Sequence, residues 1–68
     1  MKILTAMQQQ RRERILLSTR DQLSQFGYEG LNMRELAVIA DVSTSTLYNL
    51  YQSKDTLILA ALEDQLAD

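Results

Sequence analysis

Thr44, Ser45, Tyr48 and Asn49 crowd hydrogen-bonding side chains into one short stretch, with Lys54 just beyond them. Groups of this kind recognise surfaces rather than break bonds. Ser and Thr hydroxyls donate and accept with little base preference, whereas the Asn49 amide has the paired donor and acceptor that can meet adenine bidentately. The chain contains no His and no Cys, which removes the commonest catalytic base and every thiolate nucleophile, disulfide or thiolate metal site. Glu63 and Asp64 are adjacent and diverge on a helix, so they make no working carboxylate pair. Neither catalysis, a metal nor a cofactor is expected.

The charged and aromatic members need separate arguments. Tyr48 shares the polar arc with Thr44 and Asn49, opposite Leu47, a placement that favours a phosphate contact over packing on its neighbours. Lys54 stands at a helix start, where the macrodipole prefers an anion. A phosphate approaching that end, toward which free N–H groups also point, would offset the misplaced cation. Without a nucleic acid, the same residues read as an ordinary wet surface.

Four helices must position these groups. The first runs from about Gln9 to Phe26, with Ile15, Leu16, Thr19, Leu23 and Phe26 on one face. Gly27 supplies the left-handed residue that stops it, and Tyr28 to Leu31 reads as a loop. Asn32 and Glu35 form a capping-box-like pair, after which Met33, Leu36, Ala37 and Ala40 follow the amphipathic template until about Asp41. Ser43 caps a third helix, Thr44 to about Leu50. At about 100° per residue, Leu47, Leu50 and Tyr51 gather on one side, and Thr44, Ser45, Tyr48 and Asn49 span an arc of roughly 140° on the other. Ser53 caps a fourth helix, about Lys54 to Ala67, with Asp55 well placed in its first turn. Ile15, Leu23, Phe26, Leu36, Leu47 and Tyr51 are the expected core.

Two short helices separated by Asp41-Val42-Ser43 make a helix-turn-helix signature. Ala37 is small where the helices must approach, Val42 can plug the corner, and the polar outer face of the second helix can enter a major groove. The fourth helix differs: Leu57 to Leu62 is apolar around more than a full turn. A helix apolar all round is normally covered on all sides, so a partner chain or a downstream domain is expected to cover part of it.

These residues resemble a known family. Gly27-Tyr28, Leu36-Ala37, Ala40, the run from Val42 to Tyr51, Ser53-Lys54-Asp55 and Leu57 look like the amino-terminal domain of the tetracycline-repressor (TetR) family of bacterial transcriptional regulators. The likeness covers roughly Arg14 to Leu62 and is most specific from Val42 to Leu57, where the family shows Val-Ser-x-Gly/Ser-x-Leu/Ile-Tyr-x-x-Phe/Tyr-x-x-Lys-x-x-Leu. It implies a three-helix DNA-binding domain over residues 1–53. A fourth helix, 54–68, would lead toward a larger ligand-binding and dimerisation domain. It also implies that Thr44, Ser45 and Asn49 face bases or nearby phosphates. Tyr48, Lys54, Asn32 and Thr46 match phosphate-contacting positions, and Arg11, Arg12 and Arg14 match a basic arm along the DNA backbone.

Three departures from the family stand out. Asp41 replaces the usual Gly of the turn, and Asp accepts left-handed geometry less readily. Gln22-Leu23 replaces a Leu-Phe pair, with Phe26 compensating one turn later. The sequence given stops at Asp68, and a small-molecule inducer is expected only if a C-terminal domain exists.

Composition bounds the reading. With 68 residues the chain makes one domain, near the lower limit for an unaided core, and the lack of Pro with only two Gly favours an all-α fold. Its net charge of −2 opposes nucleic-acid binding at first sight. The charge is uneven, however: Met1 to Arg34 carries six basic and three acidic residues, and Glu35 to Asp68 one basic and six acidic. Gln8-Gln9-Gln10 and Arg11-Arg12 cut off any signal-peptide core, and the longest apolar run is too short to span a bilayer. The expectation is a cytoplasmic, nucleoid-associated repressor module, acting as a homodimer on palindromic double-stranded DNA. The alternative is a small helical interaction module that uses the apolar fourth helix and has no DNA role.

Overall fold

The computed structural model describes residues 5–66. Its elements are four helices: α1 (Ala6–Gly30), α2 (Met33–Ile39), α3 (Thr44–Tyr51) and α4 (Lys54–Leu66). No strand occurs among the described residues, so the all-α expectation holds. The part of the fourth helix expected at Ala67 lies outside them.

Helix α1 begins earlier than the apolar spacing predicts. The Thr5 hydroxyl accepts from the Gln8 amide at 3.2 Å while the Gln8 side chain accepts from the Thr5 amide at 3.0 Å, a reciprocal capping box. The Thr-x-x-Gln pattern was there to be seen, but it lies upstream of the first core residue. At the other end the backbone breaks at Gly27, with φ 71° and ψ −179°, and one further helical turn runs to Gly30. The expected loop from Tyr28 is therefore mostly helical.

This added turn corrects the expected core. Phe26 is 58% exposed rather than buried, because the chain folds back after Gly27 and Leu31, at 4% exposure, is the residue that enters the interior from this junction. The turn lies so close that a Cβ on Gly30 would stand 2.7 Å from the Phe26 Cβ. Ile15, Leu16, Leu31, Met33, Leu36, Ala37, Ala40, Leu47, Leu57 and Ala61 form the core, with Leu23, Val42 and Tyr51 only partly buried against it. Leu50, expected beside Leu47, is exposed. The one buried polar residue among those described, Thr19, donates its hydroxyl proton to the Ile15 carbonyl at 2.7 Å, the usual way a helix accommodates a buried hydroxyl.

The corner between α2 and α3 is closed by the backbone. The Asp41 amide donates to the Val38 carbonyl at 3.1 Å and the Val42 amide to the Ala37 carbonyl at 2.9 Å, the two bonds of a Schellman motif. Asp41 takes the left-handed position, with φ 60°. Helix α4 packs chiefly along α1. Leu57 and Ala61 face inward at 0% exposure, while Leu59 at 61% and Leu66 at 84% face out. Arg20 straps the two helices together, reaching the Ala61 carbonyl at 3.4 Å and Asp64 at 3.3 Å. No helix among the described residues is long and apolar enough to cross a membrane.

Candidate nucleic-acid interface

Burial of Leu47 fixes the roll of α3, and Thr44, Ser45, Tyr48 and Asn49 consequently point outward and are all exposed. Ser43 sets the start of the helix. Its hydroxyl oxygen accepts from the Thr46 amide at 3.0 Å and its proton goes to the Thr46 hydroxyl at 2.8 Å. Thr46 is half-buried, and its hydroxyl oxygen accepts within this cap.

Beside α3 lies an open groove of about 560 Å³. Asn32, Arg34, Thr44, Tyr48 and Lys54 line it together with the buried Leu31 and Met33. No acidic side chain lines it. The groove thus gathers four residues singled out in the sequence and adds Arg34. The Asn32 side-chain oxygen Oδ1 accepts from the amides of Arg34 at 2.8 Å and Glu35 at 3.1 Å, capping α2 and leaving the side-chain NH₂ as a donor. Glu35 makes no return bond, so half of the expected capping box forms. Arg34 was missed, although the signal existed: like Lys54, it is a cation in a first helical turn, against the macrodipole.

Lys54 resolves its own anomaly. Its ammonium donates to the carbonyls of Tyr28 at 2.8 Å and Leu31 at 3.1 Å, and lies 4.0 Å from the centroid of the Tyr28 ring. The cation at the start of α4 therefore sits at the end of α1, where unpaired carbonyls and the dipole favour it. Tyr28 in turn donates its phenol proton to Asp55 at 2.6 Å. That bond is the main reason the Tyr28 pKa is raised; burial and the negative charges of Asp55 and Glu29 push the same way.

The α1 arginines scatter. Arg14 donates from Nε to the Ala40 carbonyl at 3.1 Å. Arg12 stands 3.7 Å from Asp64 and beside Tyr51, whose pKa burial raises against the opposing pull of Arg12. Arg11 makes no ion pair among the described residues and borders a small pocket of about 110 Å³ with Leu50 and Tyr51. None of the three lines the groove beside α3.

Two short helices joined by a four-residue corner, braced by α1 and α4 and presenting the second helix outward, define a helix-turn-helix domain. The chain belongs to the TetR family: the family model described as "Bacterial regulatory proteins, tetR family" matches residues 15–61. Among curated proteins, it is 46% identical over 55 residues to the HTH-type transcriptional repressor KstR of Rhodococcus jostii, covering 81% of this chain and 26% of that protein. The proteins of the same name from Mycolicibacterium smegmatis and Mycobacterium tuberculosis are also 46% identical over 55 residues, with 27% and 25% of their lengths covered. The chain thus spans about a quarter of the length of these relatives. No solved structure matches it.

Proposed function

We propose that this domain lays α3 in the major groove of duplex DNA, as the sequence-reading head of a transcriptional repressor in the cytoplasm. The observation that carries this reading is the exposed, uncharged face of Thr44, Ser45, Tyr48 and Asn49 beside a groove with two cations and no carboxylate. Thr44, Ser45 and Asn49 meet base edges. Tyr48, Arg34, Arg11 and the Asn32 amide take phosphates. Thr46, Arg12 and Arg14 serve the interface through the bonds they make inside the domain. No catalytic step belongs to this function.

Dimerisation on a palindromic operator belongs to the same proposal. It would use the outward face of α4, or the part of the relatives' length that this chain does not span. Exposed Leu59, Leu62 and Leu66 favour a second reading, in which α4 binds a partner protein and DNA plays no part.

A selection from randomised duplexes, followed by anisotropy titrations across salt concentrations, separates the two. Asn49→Ala should change the preferred base at one position, with about 1–3 kcal/mol of discrimination lost there. Arg34→Ala should weaken binding to all sequences and reduce the salt slope by about one. No binding to mixed duplex DNA at low salt would sink the DNA reading and leave the α4 reading standing.

A further inference from the structure

We propose that Tyr28 is a positioning residue for DNA binding. Its ring and its bond to Asp55 hold the Lys54 ammonium at the edge of the groove beside α3, with one N–H left for a phosphate. The inference rests on the DNA-binding reading above and adds Lys54 to its phosphate contacts, as the family resemblance implies.

Tyr28 engages two consecutive side chains at once. The Lys54 ammonium lies over the face of its ring, 4.0 Å from the centroid, and its hydroxyl donates to the Asp55 carboxylate at 2.6 Å. An ammonium has three donors. Two go to the carbonyls of Tyr28 and Leu31, at 2.8 and 3.1 Å, and the third has no partner among the described residues. Lys54 lines the groove with Asn32, Arg34, Thr44 and Tyr48, so a phosphate entering there comes within reach of that third N–H. Tyr28 does not serve the phosphate itself. Neither it nor Asp55 lines the groove, and its single phenol proton is already donated to a carboxylate.

Two effects follow from this arrangement. A free lysine stem samples many rotamers, and ordering it on a phosphate costs binding free energy. Here the ring and the two carbonyls fix the ammonium before DNA arrives. The second effect concerns Asp55, which directly follows Lys54 in the first turn of α4. An untethered carboxylate beside Lys54 would repel the phosphate and compete for the ammonium. The bond to Tyr28 keeps Asp55 off the groove wall, which no acidic side chain lines, and the same bond anchors the ring beside Lys54.

The test is a double-mutant cycle. Anisotropy of fluorescein-labelled, mixed-sequence duplexes is titrated over a salt series for wild type, Tyr28→Phe and Tyr28→Leu, each with Lys54 and with Lys54→Met. Lys54→Met should reduce the salt slope by about one. With Lys54 present, Tyr28→Leu should weaken binding on the order of tenfold. Tyr28→Phe keeps the ring and should weaken it about threefold. In the Lys54→Met background both Tyr28 substitutions should leave affinity unchanged. A residue that merely supports the fold would weaken binding equally in both backgrounds, and that result overturns the proposal. Wild-type affinity in Tyr28→Leu, or an unchanged slope in Lys54→Met, overturns it too. Should Tyr28→Leu fail to fold, Tyr28→Phe decides by the same comparison. A wild type that binds no duplex is a different failure: the DNA reading falls, and the role of Tyr28 falls with it.

Discussion

Helix α2 is flanked by two residues with positive φ, Gly27 near the end of α1 before it and Asp41 in the corner after it, and on both sides a cation from another helix donates to a carbonyl. The two junctions nevertheless hold by different means. The upstream one depends on partners 23 to 27 residues away, through Lys54 and the Tyr28–Asp55 bond. The downstream one is closed by its own backbone, from Asp41 to Val38 and from Val42 to Ala37, with Arg14 as an added strut. A corner built from local bonds can form with α2 itself. A junction built from distant ones is complete only when α4 has docked on α1, so the shape of the groove depends on the fourth helix.

The comparison breaks most readily at Gly27. With φ 71° and ψ −179°, it occupies a region that residues with a side chain scarcely enter. A Cβ there would meet nothing within 4 Å, so Gly27→Ala tests backbone strain free of any clash. The expected loss is about 1–3 kcal/mol, which for a domain of this size lowers Tm by roughly 4–8 °C per kcal/mol. An unchanged midpoint in thermal unfolding would mean that the upstream junction relaxes at no cost, and its reliance on distant bonds would then lose its meaning.

The same difference explains what the sequence disclosed. Helices α2 and α3 and their Asn32 and Ser43 caps were legible because spacing and capping are local signals, whereas the left-handed Asp41 followed from the family resemblance. The outward set on α3 followed once Leu47 was placed inside. At the upstream junction the left-handed Gly27 was legible but its consequence was not: Phe26 fits the apolar stripe of α1, and nothing nearby in sequence says that the chain folds back and buries Leu31 instead. The basic residues were opaque for a related reason. A charge is visible in the sequence, but whether it is spent on a carbonyl elsewhere in the fold is not. Arg14 Nε and two of the three Lys54 donors are spent in this way, whereas Arg34 borders the groove with no ion pair among the described residues.

Arg14 tests the downstream junction. Replacing it by Met keeps most of the aliphatic stem and removes the donor to the Ala40 carbonyl. Because the Asp41 and Val42 amides still close the corner, the loss should be smaller than at Gly27, about 1 kcal/mol. The salt slope of DNA binding should not change, since Nε is held within the domain and Arg14 lines no part of the groove beside α3. A slope reduced by about one would return Arg14 to the basic arm expected from the family resemblance.

Asp41 should give the smallest effect, and one of opposite sign. Its φ of 60° costs an L-residue free energy that Gly does not incur, although Gly also loses more backbone entropy on folding. The two terms partly cancel, and Asp41→Gly should stabilise the domain by roughly 0.5 kcal/mol. Urea unfolding reads this as a higher midpoint at unchanged m-value. The sign is the informative result. At Gly27 adding a side chain should destabilise, while at Asp41 removing one should stabilise, because both positions are governed by backbone geometry and the Schellman bonds need no side chain. If Asp41→Gly destabilised the chain instead, the Asp41 side chain itself would be holding the corner, and the downstream junction would no longer be a purely backbone device.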